Sequence, residues 1–246
     1  MMFQTKQLRK LKIQHLMAIL LAISCLAGCQ NAQPPLISLE EAAKFDSELP
    51  SSDQVAFNTW ENNPFIGDEK DFLYLLEEVD GEPVQLPDGS VLSPGHKYRL
   101  VIYCHNTARA IDDENDIARL VKVCLEYPMR MSAGNQDIIS AELSGYANGS
   151  AIPSCSTSLT VVAESNLAIN LVTDLDEVNQ KVQPHLLALN LMGENVSDQA
   201  SYSTSFQSDR VQAEITLGNV PSGLAESRII IYEIEVSLQP EPGGVG

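Results

Sequence analysis

Basic residues are scarce in this chain. Its 246 residues include 15 Lys and Arg against 33 Asp and Glu, which gives a formal net charge of −18 at pH 7. Nucleic acids and anionic lipid surfaces are bound largely through Lys and Arg. The composition therefore excludes a nucleic-acid-binding function and predicts an acidic domain surface.

Histidine and cysteine are also few, with 4 and 5 residues. Cys104 and His105 are adjacent, but neighbouring side chains of a regular strand point to opposite faces, so these two do not form a nucleophile–base pair. A zinc site needs three or four converging ligands, and the histidines are widely spaced. Since the common hydrolase and metalloprotease motifs are absent as well, the sequence predicts a protein that is not an enzyme.

No apolar run is long enough to cross a bilayer. The longest, from Leu16 to about Gly28, has roughly half of the ~20 residues that a spanning helix needs. Every charged residue before it is basic, and the run ends in small residues. This order is typical of an export signal.

The end of that run, "LAGC" (26–29), resembles the lipobox of bacterial lipoproteins. The resemblance implies that residues 1–28 are removed and that Cys29 is lipidated, leaving 11 basic and 33 acidic residues and a net charge of −22. Buried acyl chains contribute about 0.8 kcal/mol per CH₂, so two or three chains would anchor the protein to a membrane. Gln30 favours the outer membrane in a cell with two membranes. The alternative is an ordinary signal cut near Ala27.

Three cysteines then remain besides Cys29. Cys104 and Cys124 lie near the facing ends of two predicted strands, so a cross-strand disulfide between them is one alternative. Isolated, mostly buried thiols are the other, because a free cysteine behaves as a small apolar residue. Residues 29–54 contain few large apolar side chains and predict a flexible tether, and residues 240–246 predict a disordered tail.

The remaining residues, 55–239, predict one all-β domain. Segments rich in β-branched and aromatic residues alternate with turn sequences such as "PDGS", "SPGH", "ANGS" and "VPSG". This pattern favours an antiparallel β-sandwich, with a short helical connection near 174–182. The predicted strands are 97–104, 118–127, 137–146, 158–165, 167–175, 209–217 and 227–238.

Two phrases in this domain resemble a β domain of bacterial surface and secreted proteins. The first is "NNPFIGDEKDF" (62–72), and the second is "YCHN" (103–106), which precedes an acidic loop and a strand ending at Pro128. The order of strand, His-Asn, loop and strand is similar to DUF11-like, immunoglobulin-type repeats. The resemblance implies an extracytoplasmic, immunoglobulin-like β-sandwich without catalytic residues.

Acidic loops and a lone tryptophan are the candidate ligand-binding features. Carboxylate oxygens are preferred Ca²⁺ ligands, and loops at sandwich ends commonly supply them; solvated acidic loops are the alternative. The candidate calcium ligands are Asp68, Asp71, Asp112, Asp113, Glu114 and Asp116. Trp60 is a candidate glycan contact, although a buried position at the domain edge is the alternative.

These features predict a lipid-anchored, non-catalytic binding or structural module of the cell envelope. Its partner would be an envelope or extracellular protein or glycan, contacted through the loops at 60–71 and 106–117. A calcium- or glycan-binding receptor that uses the same loops is the alternative function.

Overall fold

The computed structural model describes residues 54–61, 63, 66–108, 114–171, 186–190, 196 and 200–239. The predicted signal segment, Cys29 and the tail lie outside the described residues, as does nearly all of the predicted tether. Within the described part of the chain there is no helix with the length and apolar character needed to cross a membrane.

Thirteen strands make up most of the described residues. They are β1 (Leu73–Val79), β2 (Glu82–Leu86), β3 (Ser90–Leu92), β4 (Lys97–Cys104), β5 (Ala118–Pro128), β6 (Arg130–Met131), β7 (Gln136–Ala147), β8 (Ser150–Ala163), β9 (Leu167–Leu171), β10 (Leu186–Asn190), β11 (Ser201–Gln207), β12 (Arg210–Val220) and β13 (Arg228–Leu238). Two 3₁₀ turns, Glu114–Asp116 and Leu224–Glu226, are the described helical elements. The predicted helix near 174–182 lies outside the described residues.

The strands form two sheets that pack together. A seven-stranded sheet has the order β2-β1-β4-β13-β9-β6, with β10 also paired to β13. A six-stranded sheet has the order β11-β12-β5-β7-β8-β3. The prediction of an all-β architecture is thus confirmed. The expectation of purely antiparallel pairing is wrong in one place, because β3 pairs parallel with β8.

The core lies between the sheets and follows the period-two alternation of the strands. In β5, Val121, Val123 and Leu125 are buried, while Lys122 between them is exposed. A fully buried side chain of this size contributes about 1.5–3 kcal/mol relative to an exposed one. In strands such as β5 the alternation therefore decides which face the core takes, whereas β4 is buried on both faces from Tyr98 to Cys104.

The turn between β7 and β8 illustrates how local sequence sets the pairing. Asn148 and Gly149 have φ angles of 51° and 78°, the left-handed values that a two-residue type I′ hairpin requires. Because this turn is tight, β8 begins at Ser150, well before the predicted start at 158. The Ser- and Thr-rich segment at 154–158 is therefore part of a long strand.

Candidate functional site

Four chain segments meet at one end of the sandwich. They are residues 54–61, residues 66–71, the residues that follow β4, and the connection between β12 and β13. The backbone N–H of Asn58 donates to the His105 carbonyl at 3.1 Å, and that of Thr107 donates to the Ala56 carbonyl at 3.0 Å. The described parts of the predicted contact loops at 60–71 and 106–117 therefore lie at the same end of the sandwich, which we call the loop end.

A buried acid–base pair lies at its centre. His105 Nδ1 is 2.9 Å from Glu69 Oε1, and both side chains are fully buried. The Asn63 side-chain amide donates to the same Glu69 oxygen at 2.6 Å. The Trp60 backbone N–H lies 3.3 Å from the other oxygen, Oε2. Both carboxylate oxygens thus have partners, as a buried carboxylate requires.

The pair is joined to β13 through a tyrosine. The Tyr103 hydroxyl lies 2.9 Å from the Ser227 hydroxyl and accepts a longer hydrogen bond, 3.3 Å, from Asn63. Burial, reinforced by the negative charge of Glu69, raises the pKa of Tyr103 well above its usual value. The phenol is therefore a neutral hydrogen-bonding group that links residues 63–69 to the start of β13.

Two asparagines connect the loops to the sheets. Asn58 has a φ of 49°, in the left-handed region that asparagine tolerates. Its side chain donates to the Tyr103 carbonyl and accepts from the His105 N–H, at 2.9 and 2.8 Å. Asn106 donates to the carbonyls of Asp116 and Val220, at 2.7 and 3.0 Å. Asn106 therefore ties the end of β4 to the residues before β5 and to the end of β12.

Cys104 and His105 have different environments. The thiol is fully buried at the end of β4, and burial raises its pKa to about 12. A nucleophilic cysteine needs the opposite shift, toward the thiolate. His105 instead packs edge-on against Trp60, with ring centroids 4.4 Å apart. The thiol is therefore a neutral core group, and the histidine is part of the polar cluster.

The candidate disulfide is not formed. Cys104 and Cys124 are both free thiols. They lie in different sheets, since β4 belongs to the seven-stranded sheet and β5 to the six-stranded one. The Cys124 sulfur accepts a hydrogen bond from the Gln212 amide at 3.0 Å. The expectation that the two strand ends face each other is wrong, because the loop between β4 and β5 crosses from one sheet to the other.

The candidate calcium ligands divide between two turns at the loop end. Asp68 Oδ1 accepts the Lys70 backbone N–H at 3.0 Å and so closes a turn that Asp71 follows. Glu114 and Asp116 begin and end a 3₁₀ turn. Asp112 and Asp113 lie outside the described residues. Among the residues that the structure describes, no group of three acidic, histidine or cysteine side chains is placed to hold a metal ion.

Trp60 is buried, with 4% of its surface exposed. Its indole packs on His105, and neither Trp60 Nε1 nor His105 Nε2 has a hydrogen-bond partner within the described residues. The ring therefore belongs to the core of the loop end and is not presented to solvent as a stacking platform.

The two phrases singled out in the sequence converge at this site. Asn63 and Glu69 come from the first phrase, and Tyr103, His105 and Asn106 come from the second. Sequence reasoning missed Asn58 and Ser227, because their partners are 45 and 124 residues away along the chain. A signal that could have found Glu69 is its place in the first phrase, four residues before a strongly apolar strand, since an acid that close to the core needs a partner.

Comparison of the chain with protein-family models, with curated proteins and with solved structures gives no match. The function is therefore argued from the residues and their arrangement.

Proposed function

We propose that the protein is a lipid-anchored, non-catalytic module of the cell envelope, exposed to the exterior or to the periplasm. Its loop end would bind an envelope or extracellular protein or glycan. The observation that carries the proposal is the loop end itself, where buried hydrogen bonds of Asn58, Glu69, His105 and Asn106 fix several loops on one rigid scaffold. Loops held in this way are where β-sandwiches generally bind their partners.

The burial of the Glu69–His105 pair supports a scaffolding role for these two side chains. Glu69 and His105 have no exposed surface, so a substrate would not reach them without opening of the loops. The exposed groups at this end are instead charged side chains of the turns, among them Glu61 and Lys70, which form an ion pair at 3.1 Å.

We infer that the sandwich is of the immunoglobulin type. Consecutive strands β4, β5, β6 and β7 alternate between the two sheets, as strands do in sandwiches with Greek-key connections. The strand, His-Asn, loop and strand order of the sequence supports the same conclusion.

Lipidation at Cys29 is tested by growing cells that express the full chain with labelled palmitate. The chain should incorporate label, and the variant Cys29→Ser should not. Cys25→Ser is the matched control, because Cys25 lies within the predicted signal and should not affect labelling. Equal labelling of the wild type and Cys29→Ser would remove the anchor from the proposal.

Partner binding is tested with a labelled soluble form, residues 30–246, added to isolated cell envelopes. We expect saturable binding that the double variant Asp71→Lys/Glu114→Lys weakens several-fold. The control Glu82→Lys/Asp209→Lys makes the same charge change at exposed positions of the opposite end and should bind as the wild type does. Absence of saturable binding would contradict the proposal.

The same binding assay, repeated with calcium and with a chelator, distinguishes the alternative receptor function from the first proposal. Exposed carboxylates from two turns share the loop end, which is the observation that favours calcium. Binding that is lost in chelator, together with calcium-induced thermal stabilisation, would support a calcium-dependent receptor. Binding that is insensitive to both additions would favour the first proposal.

A further inference from the structure

The outer edge of β11 is unlike the other sheet edges of the described residues. β11 ends the six-stranded sheet, and its sequence SYSTSFQ contains no charged residue although the chain has a net charge of −18. Proteins usually protect an edge strand with charges, proline, bulges or short length, because its unpaired N–H and C=O groups are a template for another strand. β11 has none of these protections.

Most of the other edges of the described residues are protected in the expected ways, and β10, which is also uncharged, has only five residues. β2 contains Glu82 and Pro83, and β6 and β3 have only two and three residues. β8 extends beyond β3 and is also uncharged, but Pro153 and a register shift in its pairing with β7 interrupt this edge. A regular, uncharged edge of seven residues is therefore a particular feature of β11.

The backbone of β11 presents hydrogen-bonding groups at three alternate residues. β11 and β12 are joined by a two-residue connection between the partners Gln207 and Arg210. The closing pair of such a hairpin is hydrogen bonded, and hydrogen-bonded pairs alternate along an antiparallel ladder. Odd-numbered residues of β11 thus bond to β12, while Tyr202, Thr204 and Phe206 direct their N–H and C=O groups outward.

The side chains of β11 are self-complementary about Thr204. If two copies pair antiparallel across a twofold axis at this residue, Tyr202 of one copy lies opposite Phe206 of the other. Ser203 lies opposite Ser205, and Ser201 lies opposite Gln207. Aromatic cross-strand pairs are favourable, and no like charges oppose each other. Phe206, 66% exposed and the most exposed large apolar side chain of the described residues, would gain a partner.

We propose that β11 is a docking edge for a second copy of this chain, which pairs its own β11 antiparallel in the register Thr204 to Thr204. Six backbone hydrogen bonds would join the two six-stranded sheets, from the pairs 204–204, 202–206 and 206–202. A twofold arrangement of this kind uses the same patch on both copies and closes as a dimer. The inference does not depend on the lipid anchor or on the loop end, which lies at the other end of β12.

A cysteine cross-link in the full chain tests both the contact and its register. Hydrogen-bonded partners in an antiparallel pair have Cα atoms about 5.5 Å apart, which a disulfide spans. Thr204→Cys should therefore form a covalent dimer of twice the monomer mass when oxidised glutathione is added, as seen on a non-reducing denaturing gel. Each new disulfide takes two thiols and reduces one oxidised glutathione to two thiols.

Two controls make the result specific. Ser203→Cys moves the thiol by one residue, where the two copies' Cα atoms would be about 8 Å apart, from the rise per residue and the strand spacing, beyond disulfide reach. Val84→Cys places a thiol on the exposed edge strand β2 and gives the background from collisions and from the native cysteines. Both should form at least five-fold less dimer than Thr204→Cys.

A second variant tests the aromatic pairs. Phe206→Ala in the Thr204→Cys chain should lower the cross-linked fraction several-fold, whereas Val84→Ala in the same chain should not change it. The proposal is overturned if Thr204→Cys gives no more dimer than Val84→Cys. It is also overturned if Ser203→Cys cross-links equally well, since the copies would then meet in another register, or if Phe206→Ala has no effect.

Discussion

The buried residues Glu69 and His105 illustrate how a polar group is tolerated in an apolar core. Taking two charged or polar groups out of water is unfavourable, and their mutual attraction offsets this only when the geometry and the remaining hydrogen bonds are good. Here the carboxylate also has the Asn63 amide and the Trp60 N–H as partners. The pair therefore contributes chiefly by defining where residues 60–69 dock.

Removing one member of this pair should be strongly destabilising. Glu69→Ala removes the buried carboxylate that pairs with His105 Nδ1 and accepts one Asn63 hydrogen bond, and we expect the free energy of unfolding to fall by about 3–5 kcal/mol. Urea unfolding monitored by Trp60 fluorescence measures the loss. The control Glu61→Ala removes the carboxylate of an exposed ion pair and should leave the midpoint unchanged. A small effect of Glu69→Ala would mean that water replaces the carboxylate.

Cys104 should be the least reactive of the three thiols in the described residues. It is fully buried with a pKa raised to about 12, whereas Cys124 and Cys155 are only partly buried. Iodoacetamide at pH 8 should label Cys124 and Cys155 in the folded protein and all three after denaturation. Because the pKa of Cys104 is higher in the folded chain than in the unfolded one, the stability of the fold should depend on pH. The stabilisation from the neutral buried thiol is complete below the unfolded pKa of about 9 and is lost as the pH rises toward 12. Rapid labelling of Cys104 in the folded chain would contradict this assignment.

At the scale of the element, the sequence predicts where a strand lies better than it predicts which strands pair with it. β4 agrees with its predicted bounds, because "KYRLVIYC" is rich in β-branched and aromatic residues. The period of two fixes which residues enter the core, but it carries no information on which sheet a strand joins. For this reason β4 and β5 were expected to face each other, although they lie in different sheets. His105 and Asn106 were found from local sequence, whereas Asn58 and Ser227 join the site only through long-range folding.

The contact between β7 and residues 54–61 depends on a glycine. A Cβ on Gly145 would lie 3.1 Å from Phe57 Cζ and 3.3 Å from the Arg119 carbonyl. Gly145→Ala should therefore destabilise the fold by about 1 kcal/mol, at the lower end of the usual effect of overpacking. A double-mutant cycle with Phe57→Leu, read by urea unfolding, should show that the smaller partner recovers most of the loss. If the effects of the two substitutions on the free energy of unfolding are additive, the strain comes from the contact with the Arg119 carbonyl instead.

At the scale of the whole molecule, the dominant electrostatic property is the excess of acidic residues. With 33 acidic and 15 basic residues, the folded chain concentrates like charges that are farther apart when it is unfolded. Self-repulsion of this kind lowers the stability of a compact state. Local ion pairs such as Lys122 with Glu214, at 2.8 Å, relieve only part of it.

Added salt should consequently stabilise the protein. The distance over which charges interact falls from about 30 Å at 0.01 M ionic strength to about 3 Å at 1 M. Because this weakens the repulsion between acidic residues, the midpoint of urea unfolding should rise as the ionic strength increases over this range. Sodium chloride and calcium chloride at equal ionic strength provide the comparison. Equal rises would indicate screening alone, and a larger rise in calcium would indicate specific binding. A midpoint that falls with salt would show that ion pairs outweigh the repulsion.

The position of β13 has a consequence for the timing of folding. This strand comes last among the described strands, yet it pairs with β4, β9 and β10 in the seven-stranded sheet. Before residue 228 has been synthesised, β4 can pair only with β1, and β10 lacks the strand with which it pairs. The seven-stranded sheet is therefore completed only after its last described strand has been made, whereas the six-stranded sheet needs no residue beyond Val220.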